Sequence, residues 1–290
     1  MILSPSNTVL TRVQAGYLTA GQPFGTWNGT ATSATLVNRY GATPNQARAV
    51  NIWRNDWQGN QLLWPTPRTN EVLNSAASTT DWYPAGSASW GAAAPSTPSG
   101  SGTAYILVAG TTSNVQEFIP HTGTINASSS LAGFVDVAPY GYEYGALSGQ
   151  LSAGGVNTGV FDFSTGLFLG LPYTYGGAPA DNLQQWAIAL PNGYYRLHLS
   201  FSLTSPQTNI TNPLAYGIWD SPTGQTFAGD GTHGVYAANA QIVPDAPLGS
   251  LITTTGSPVT LTDYTLSGTT VNLAQAPASG ATTTSTYYAT

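Results

Sequence analysis

The stretch NGYYRLHLSFSL, residues 192–203, shows the clearest alternation of apolar and polar side chains in this sequence. Asn192-Gly193 favours a tight turn, because both residue types accept a positive φ at little cost. One face of the segment after the turn is apolar and consists of Tyr195, Leu197, Leu199, Phe201 and Leu203. The other face consists of Tyr194, Arg196, His198, Ser200 and Ser202. This period of two predicts a half-buried β-strand with His198 at the surface.

Similar short runs follow residue 100. They cover residues 103–110, 132–140, 159–168, 184–190, 214–220 and 234–243. Clusters of Gly, Pro, Asn and Ser separate them at about the spacing of a β-sandwich. We interpret Asp230-Gly231 as a hairpin turn that leads into a core strand over residues 234–243. A calcium loop is the alternative, with Asp230 as a weak candidate ligand, although Ca²⁺ prefers several oxygen ligands and this loop has one carboxylate.

One segment favours a helix. Thr43-Pro44 precedes NQARAVNIWRNDW, so Thr43 suits the N-cap and Pro44 the first helical position. Val50, Trp53 and Trp57 then share one face of the predicted helix.

Composition excludes several classes of protein. Only 6% of the 290 residues are charged, against about 25% in ordinary soluble domains, and lysine is absent. The chain has no cysteine, so it forms neither disulfides nor thiolate metal sites. No apolar run approaches the roughly 18 residues that span a bilayer, and we expect no signal peptide and no membrane partner.

The charges are unevenly distributed along the chain. Five of the six arginines lie in the first 68 residues, where four of the eight tryptophans also lie. Arginine and tryptophan concentrate binding energy in interfaces, which predicts a docking surface. Its candidate residues are Arg39, Arg48, Trp53, Arg54 and Trp57. The alternative is a subdomain that packs its tryptophans inside. Five arginines without lysine give too little positive charge to bind a phosphate backbone, so we do not expect nucleic acid as a partner.

A series of short motifs runs in order along the central 190 or so residues. These motifs are Arg68-Thr69-Asn70, Asn74-Ser75, Trp82, Phe161 to Gly166, Gly193 to Arg196, and Gly229 to Tyr236. In this order they resemble a jelly-roll module of tailed-phage head-spike, head-fibre and tail-fibre proteins, similar to carbohydrate-binding-module sandwiches. The chain departs from that pattern at Glu71, where the family usually has Leu. It departs again at residues 238–241, where the family has Trp-Gly-Ala-Gln, so a ligand site that needs the missing Trp is in doubt.

The resemblance implies an all-β protein with a jelly-roll β-sandwich of the carbohydrate-binding-module or concanavalin-like type. It implies a particle-anchoring segment over residues 1–64, the sandwich over 65–256 and a small β appendage over 257–290. The expected function is structural: a head spike or fibre, decoration or tail-fibre component on the surface of a tailed-phage virion. The expected partners are capsid, neck or tail proteins, bound through residues 1–64, and the expected assembly is a homotrimer.

Two other functions stay open. One is a glycan-binding adhesin that attaches the virion to a polysaccharide of the host surface. The other is an accessory module of an extracellular carbohydrate-active enzyme. The candidate glycan-binding residues are the alternating tyrosines Tyr140, Tyr142 and Tyr144, with Tyr173 and Tyr175, because rings on one side of a strand form a platform for sugar faces. The alternative places these rings in the sandwich or in a subunit contact.

Motifs of catalysis are absent from the sequence. The three histidines form no His-Glu-x-x-His zinc motif, and no Gly-x-Ser-x-Gly elbow occurs. Glycoside hydrolysis needs two carboxylates across a cleft, and most acids here stand alone along the chain. We therefore expect neither enzymatic activity nor a cofactor.

Overall fold

The computed structural model describes residues 17–24, 27, 29–36, 43, 47–151, 154–157, 159–170, 173–174, 180–211, 213–277 and 279–289. The chain forms two compact units. One combines Met1–Pro67 with Leu261–Thr290 and is called the terminal unit. The other is Arg68–Thr260 and is called the central unit. No helix among the described residues has the length and apolar character needed to cross a membrane.

The described secondary structure is almost entirely β. The terminal unit begins with β1 (Tyr17–Pro23), β2 (Ser33–Thr35), β3 (Ala47–Asp56) and β4 (Gly59–Leu63). There follow β5 (Arg68–Asn70), β6 (Trp82–Gly86), β7 (Ser89–Ala93), β8 (Tyr105–Val108), β9 (Asn114–Pro120), β10 (Ile125–Ala127), β11 (Ser130–Tyr140), β12 (Tyr144–Leu151), β13 (Gly154–Asn157), β14 (Val160–Asp162), β15 (Leu167–Leu169), β16 (Tyr173–Thr174) and β17 (Ala180–Ala189). After a 3₁₀ turn at Pro191–Gly193 come β18 (Tyr195–Leu203), β19 (Gln207–Ile210), β20 (Leu214–Trp219), β21 (Thr226–Phe227), β22 (Gly234–Pro244) and β23 (Val259–Leu261). The last strands are β24 (Tyr264–Ser267), β25 (Thr270–Leu273) and β26 (Thr282–Ala289).

The central unit is a β-sandwich of two antiparallel sheets. The six-stranded sheet has the order β17-β18-β11-β22-β8-β7. The nine-stranded sheet contains β15-β14-β12-β20-β9-β21, with β6, β13 and β16 attached. The chain passes repeatedly from one sheet to the other, from β8 to β9, from β11 to β12 and from β20 to β22, which is typical of a jelly roll. The core between the sheets contains Phe118, Phe161, Leu197, Tyr216 and Ile242. The predicted all-β sandwich fold is confirmed.

The terminal unit has its own core and two small sheets. Their strand orders are β1-β26-β3-β4 and β2-β25-β24. Trp27, Ile52, Tyr264 and Tyr287 are among its buried residues. β26, from the predicted appendage 257–290, inserts between β1 and β3 of the predicted segment 1–64, so strands of both segments share one sheet.

The predicted helix after Thr43-Pro44 is wrong, because β3 occupies this segment. Val50, Ile52 and Arg54 are buried, while Asn51, Trp53 and Asn55 are exposed, so the burial follows a period of two. β-branched and aromatic side chains favour a strand, and β4 and β26 pair with β3 on both sides. Pairing within the sheet thus outweighs the capping signal at Thr43-Pro44.

The strand predicted after Asp230-Gly231 is confirmed as β22, but the turn is not a hairpin. β21 pairs with β9 in the nine-stranded sheet, whereas β22 pairs with β8 and β11 in the six-stranded sheet. The loop between them therefore crosses from one sheet to the other. Gly231 has φ +74°, as expected for a glycine in such a turn.

Candidate functional site

The candidate site lies on the face of the six-stranded sheet that points away from the core. Strand register places Trp186 of β17 opposite His198 of β18, and His198 opposite Phe134 of β11. The next row brings Ile188, Arg196 and Asp136 together in the same way. These rows form because alternate residues of each strand share a face.

Arg196 and Asp136 form a buried ion pair on this face. Arg196 Nε donates to Asp136 Oδ1 at 2.7 Å and an Nη atom donates to Oδ2 at 2.8 Å, and both side chains are 0% exposed. Asn239 Nδ2 also donates to Asp136, at 2.9 Å, and the guanidinium lies 3.9 Å from the centre of the Phe134 ring. The guanidinium of Arg196 is thus paired with a carboxylate through two hydrogen bonds and contacts an aromatic ring, and the carboxylate also accepts from an amide. These contacts compensate both charges for the loss of water.

His198 is buried, so its predicted surface position is wrong. Only 3% of its surface is exposed. Its imidazole ring stacks on the Trp186 indole, with the ring centroids 4.5 Å apart and an angle of 8° between the ring planes. Burial, and then the nearby Arg196 charge, lower the pKa of His198 well below its ordinary value, so the ring is neutral at physiological pH. On the polar face of β18, Arg196 and His198 are buried because neighbouring strands cover them with aromatic rings and an ion-pair partner, whereas Ser200 and Ser202 are half-buried.

Trp186 presents a partly exposed aromatic surface. Its one face is covered by His198, yet the residue is still 39% exposed. An exposed tryptophan held in place by a stacked ring is a rigid apolar surface at the edge of the sheet.

A groove of about 460 Å³ opens beside this tryptophan. That volume falls within the usual range of small-ligand sites, which is about 300–1,000 Å³. Its described lining consists of Ser130, Leu131, Ala132, Asn182, Gln184, Trp186, Ser200, Phe201, Ser202, Ala246, Pro247 and Leu248. Among the described residues, the side chains of Gln184 and Ser200 have no hydrogen-bond partner within the protein. The groove thus combines an indole surface with amide and hydroxyl groups free to bond a ligand.

Asp245 holds one wall of the groove. Its carboxylate accepts hydrogen bonds from the backbone N–H groups of Ser128, Ser129 and Ser130 at 2.6–3.1 Å. Burial raises the pKa of Asp245, but these hydrogen bonds together lower it further, so its net pKa lies below the ordinary value. The wall residues Ala246, Pro247 and Leu248 follow Asp245 directly and are therefore tied to the start of β11.

The predicted tyrosine platform does not exist as a single strand face. Tyr140 ends β11 in the six-stranded sheet, whereas Tyr144 begins β12 in the nine-stranded sheet. Gly141 between them has φ +92°, and a Cβ there would lie 2.5 Å from the His233 ring. The alternation is interrupted because the chain turns from one sheet to the other at this glycine.

The individual tyrosines have different surroundings. Tyr140 packs on Tyr236 and His233, with ring centroids 5.1 and 5.5 Å apart. Tyr142 is half-buried at the edge of the core and lies 5.2 Å from Phe227, and burial raises the pKa of its hydroxyl. Tyr144 is also half-buried. Tyr173 lies in β16, while its side chain and the whole of Tyr175 are outside the described residues.

Asp230 caps the loop that carries it. Its Oδ1 accepts from the backbone N–H groups of Thr232 and His233, both at 2.8 Å, and its Oδ2 pairs with His233 Nδ1. The His233 hydrogen bonds and then that of Thr232 lower the pKa of Asp230. Within the described residues, no group of three acidic, histidine or cysteine side chains is arranged to hold a metal ion.

Four of the five predicted docking residues lie in β3 or directly after it. Trp53 is 36% exposed, Trp57 is half-buried, and Arg54 is buried with its Nε 2.9 Å from Asp56 Oδ2. The side chain of Arg48 and the whole of Arg39 are outside the described residues. Exposed Trp53 and buried Trp27 show that the tryptophans of the terminal unit divide between surface and core.

The motifs behind the resemblance build the sandwich. Asn70 is fully buried, its Oδ1 accepts from the N–H groups of Val72 and Ile242, and its Nδ2 donates to Ile252 O. Trp82 is buried and stacks on Phe118 at 5.4 Å. These residues join distant segments of the chain, and none of them lines the groove.

Sequence reasoning missed the groove. Trp186 and Gln184 lie two residues apart in the predicted strand run 184–190, so the sequence indicates that they share one face of a strand. The signal is incomplete, because the pairing of β17 with β18 that adds Ser200 and Ser202 is a long-range property of the fold.

Comparisons with known proteins add little about function. No protein-family model matches the chain, and no curated protein matches it. Among solved structures, the chain is similar to a mutant of CBM29-2, a family 29 carbohydrate binding module, at 8% identity and a TM-score of 0.31. The similarity covers 63% of this chain and 99% of that one. At this level, the likeness supports no conclusion about a ligand.

Proposed function

We propose that this chain is a glycan-binding protein that holds a saccharide segment, without catalysis, in the groove beside Trp186. The observation that carries the proposal is the exposed indole at the edge of a groove lined by hydroxyl and amide groups. A pyranose ring has an apolar face of C–H groups, which packs on an indole, and a rim of hydroxyls, which bonds to polar side chains. Gln184 and Ser200 are placed to supply those bonds.

Binding without hydrolysis suits the chemistry of this lining. Glycosidases place two carboxylic groups across the scissile bond, one with a raised pKa. Among the described residues that line the groove, none is acidic. The described lining thus offers contacts to a glycan and no pair of acids to cleave it.

The virion setting remains a proposal that rests on the sequence motifs. In that setting the chain is displayed on a tailed-phage particle, docks on capsid, neck or tail proteins through residues 1–64, assembles as a homotrimer and acts as an adhesin for a host polysaccharide. An accessory module of a carbohydrate-active enzyme would use the same groove. Immunogold labelling of purified particles separates the two, because only a virion protein is labelled on intact phage.

A glycan array with three proteins tests the binding function. Wild type should bind at least one polysaccharide, and Trp186→Ala should lower its affinity about tenfold or more, since the apolar platform is lost. Trp53→Ala is the matched control, because Trp53 is a tryptophan of similar exposure, 36%, in the terminal unit. Equal binding by all three proteins would exclude the groove as the site.

A further inference from the structure

The described lining of the groove is uncharged, and two exposed aspartates adjoin it along the chain. Every described side chain of the lining is neutral by residue type. Asp181 precedes the lining residue Asn182 and pairs in register with Ser202, and Asp245 precedes the wall residue Ala246. Both aspartates are exposed. The two exposed charged residues that adjoin the described lining along the chain are therefore both negative, while Arg68, whose Nη2 lies 3.5 Å from Ser250 O just beyond the wall, is buried.

The arginine of this sheet face offers no charge to a ligand. Arg196 is 0% exposed, and Asp136 neutralises its guanidinium through two hydrogen bonds. His198 beneath the indole is buried and stacked on it. Among the described lining residues, none would supply a cation to a carboxylate or sulfate group in return for the water that it loses.

We infer that the ligand of this groove is a neutral glycan and that glycans carrying uronic acids or sulfate are rejected. The inference rests on the proposed function, because it assigns the ligand class of the same site. A neutral sugar is bound through its apolar face and its hydroxyls, and both kinds of contact are present. Charge at the rim acts only to exclude competitors, as in other interfaces where repulsion supplies specificity.

A panel of polymers with and without charge tests the ligand class. The neutral probes are dextran, mannan, galactan and arabinoxylan, and the anionic probes are dextran sulfate, polygalacturonate and alginate. We expect binding within the neutral set, with an affinity that changes less than about twofold between about 50 mM and about 500 mM NaCl, because no ion pair is screened. Binding confined to anionic polymers and sensitive to Trp186→Ala would overturn the inference and leave glycan binding intact. If the protein bound none of these polymers, both the inference about the ligand class and the proposed glycan binding would be overturned.

A charge reversal at the rim tests the exclusion. Asp181→Lys should lower the ratio of the affinity for a neutral polymer to the affinity for its anionic counterpart about fivefold or more. The reason is that the lysine attracts the anionic polymer, which the aspartate repels. Asp220→Lys is the matched control, since Asp220 is an exposed aspartate of the same unit outside the groove lining. An identical preference in both variants would contradict a role for the rim charge.

Discussion

Single buried polar residues hold the sandwich together, and Asn70 is the clearest case. Its three hydrogen bonds join the start of the central unit to β22 and to Ile252. Asn70→Ala leaves two backbone N–H groups and one carbonyl without partners, so unfolding free energy should fall by about 2–4 kcal/mol. Urea unfolding measures this loss. Asn126→Ala removes an exposed asparagine that accepts one bond, from Asn209 N, and should stay within about 1 kcal/mol of wild type. If Asn70→Ala and Asn126→Ala lowered the unfolding free energy equally, the three hydrogen bonds of Asn70 would not be the cause of its effect on stability.

The Arg196–Asp136 pair has a different energetic signature. Arg196→Met leaves the Asp136 carboxylate buried beside Asn239 alone and should cost about 3–5 kcal/mol. The double variant with Asp136→Leu removes both charges and should recover most of that loss, because an apolar pair of similar volume needs no compensation. Additive losses in the double-mutant cycle, measured by urea unfolding, would mean that the two side chains act independently.

Tyr142 distinguishes the predicted platform from the groove. Its ring packs on Phe227 at the edge of the core, so Tyr142→Ala should cost about 2 kcal/mol of stability. Affinity for a glycan that depends on Trp186 should not change, because Tyr142 lies outside the groove lining. A stable Tyr142→Ala protein with lost glycan affinity would instead favour the tyrosine platform.

At the level of elements, the loop after β22 sets the position of a groove wall and carries a pH dependence. The folded-state pKa of Asp245 lies below the ordinary value of 3.8. The carboxylate therefore stabilises the fold above that value, and the contribution is lost as pH falls through the folded pKa.

Asp245→Asn should reproduce the protonated state at every pH. Asparagine keeps the shape and tolerates the φ of +51° at this position, but it loses the charge. We expect faster hydrogen exchange at the amides of Ser128, Ser129 and Ser130 at about pH 6, together with weaker glycan binding. The difference from wild type in urea unfolding should shrink as the pH falls below 3.8, because the wild-type carboxylate then becomes protonated as well. A constant difference across this range would contradict the assignment.

Alternation along the sequence predicted the strands well and their surroundings poorly. β18 and β22 lie where the period of two placed them, because the pattern reports the inward face directly. It did not predict that Arg196 and His198 on the outward face of β18 are also buried, since their burial depends on Asp136, Phe134 and Trp186 in other strands. The helix predicted at residues 43–57 failed for the same reason: pairing with β4 and β26 lies outside local propensity.

At the level of the whole molecule, the order of the motifs indicated the fold, whereas only the structure located the groove. The ordered motifs identified the sandwich because their residues, such as Asn70 and Trp82, are parts of its frame. They did not locate the groove, whose side chains come from β11, β17, β18 and the loop after β22. Residues 238–241 contain no Trp, and the tryptophan that lines the groove, Trp186, lies in β17.

The division into two units predicts how the protein responds to loss of its C-terminus. Deletion of residues 261–290 removes β24, β25 and β26, and β26 is the strand between β1 and β3. The terminal unit should then unfold, because its sheet loses its centre and its core loses Tyr264, Val271 and Tyr287. The central unit has a separate core and should stay folded with its glycan affinity unchanged. Limited proteolysis should degrade residues 1–67 and spare 68–260. Calorimetry should show one transition for the shortened chain and two for the full chain. A protease-resistant N-terminal segment in the shortened chain would show that residues 1–67 fold without β26.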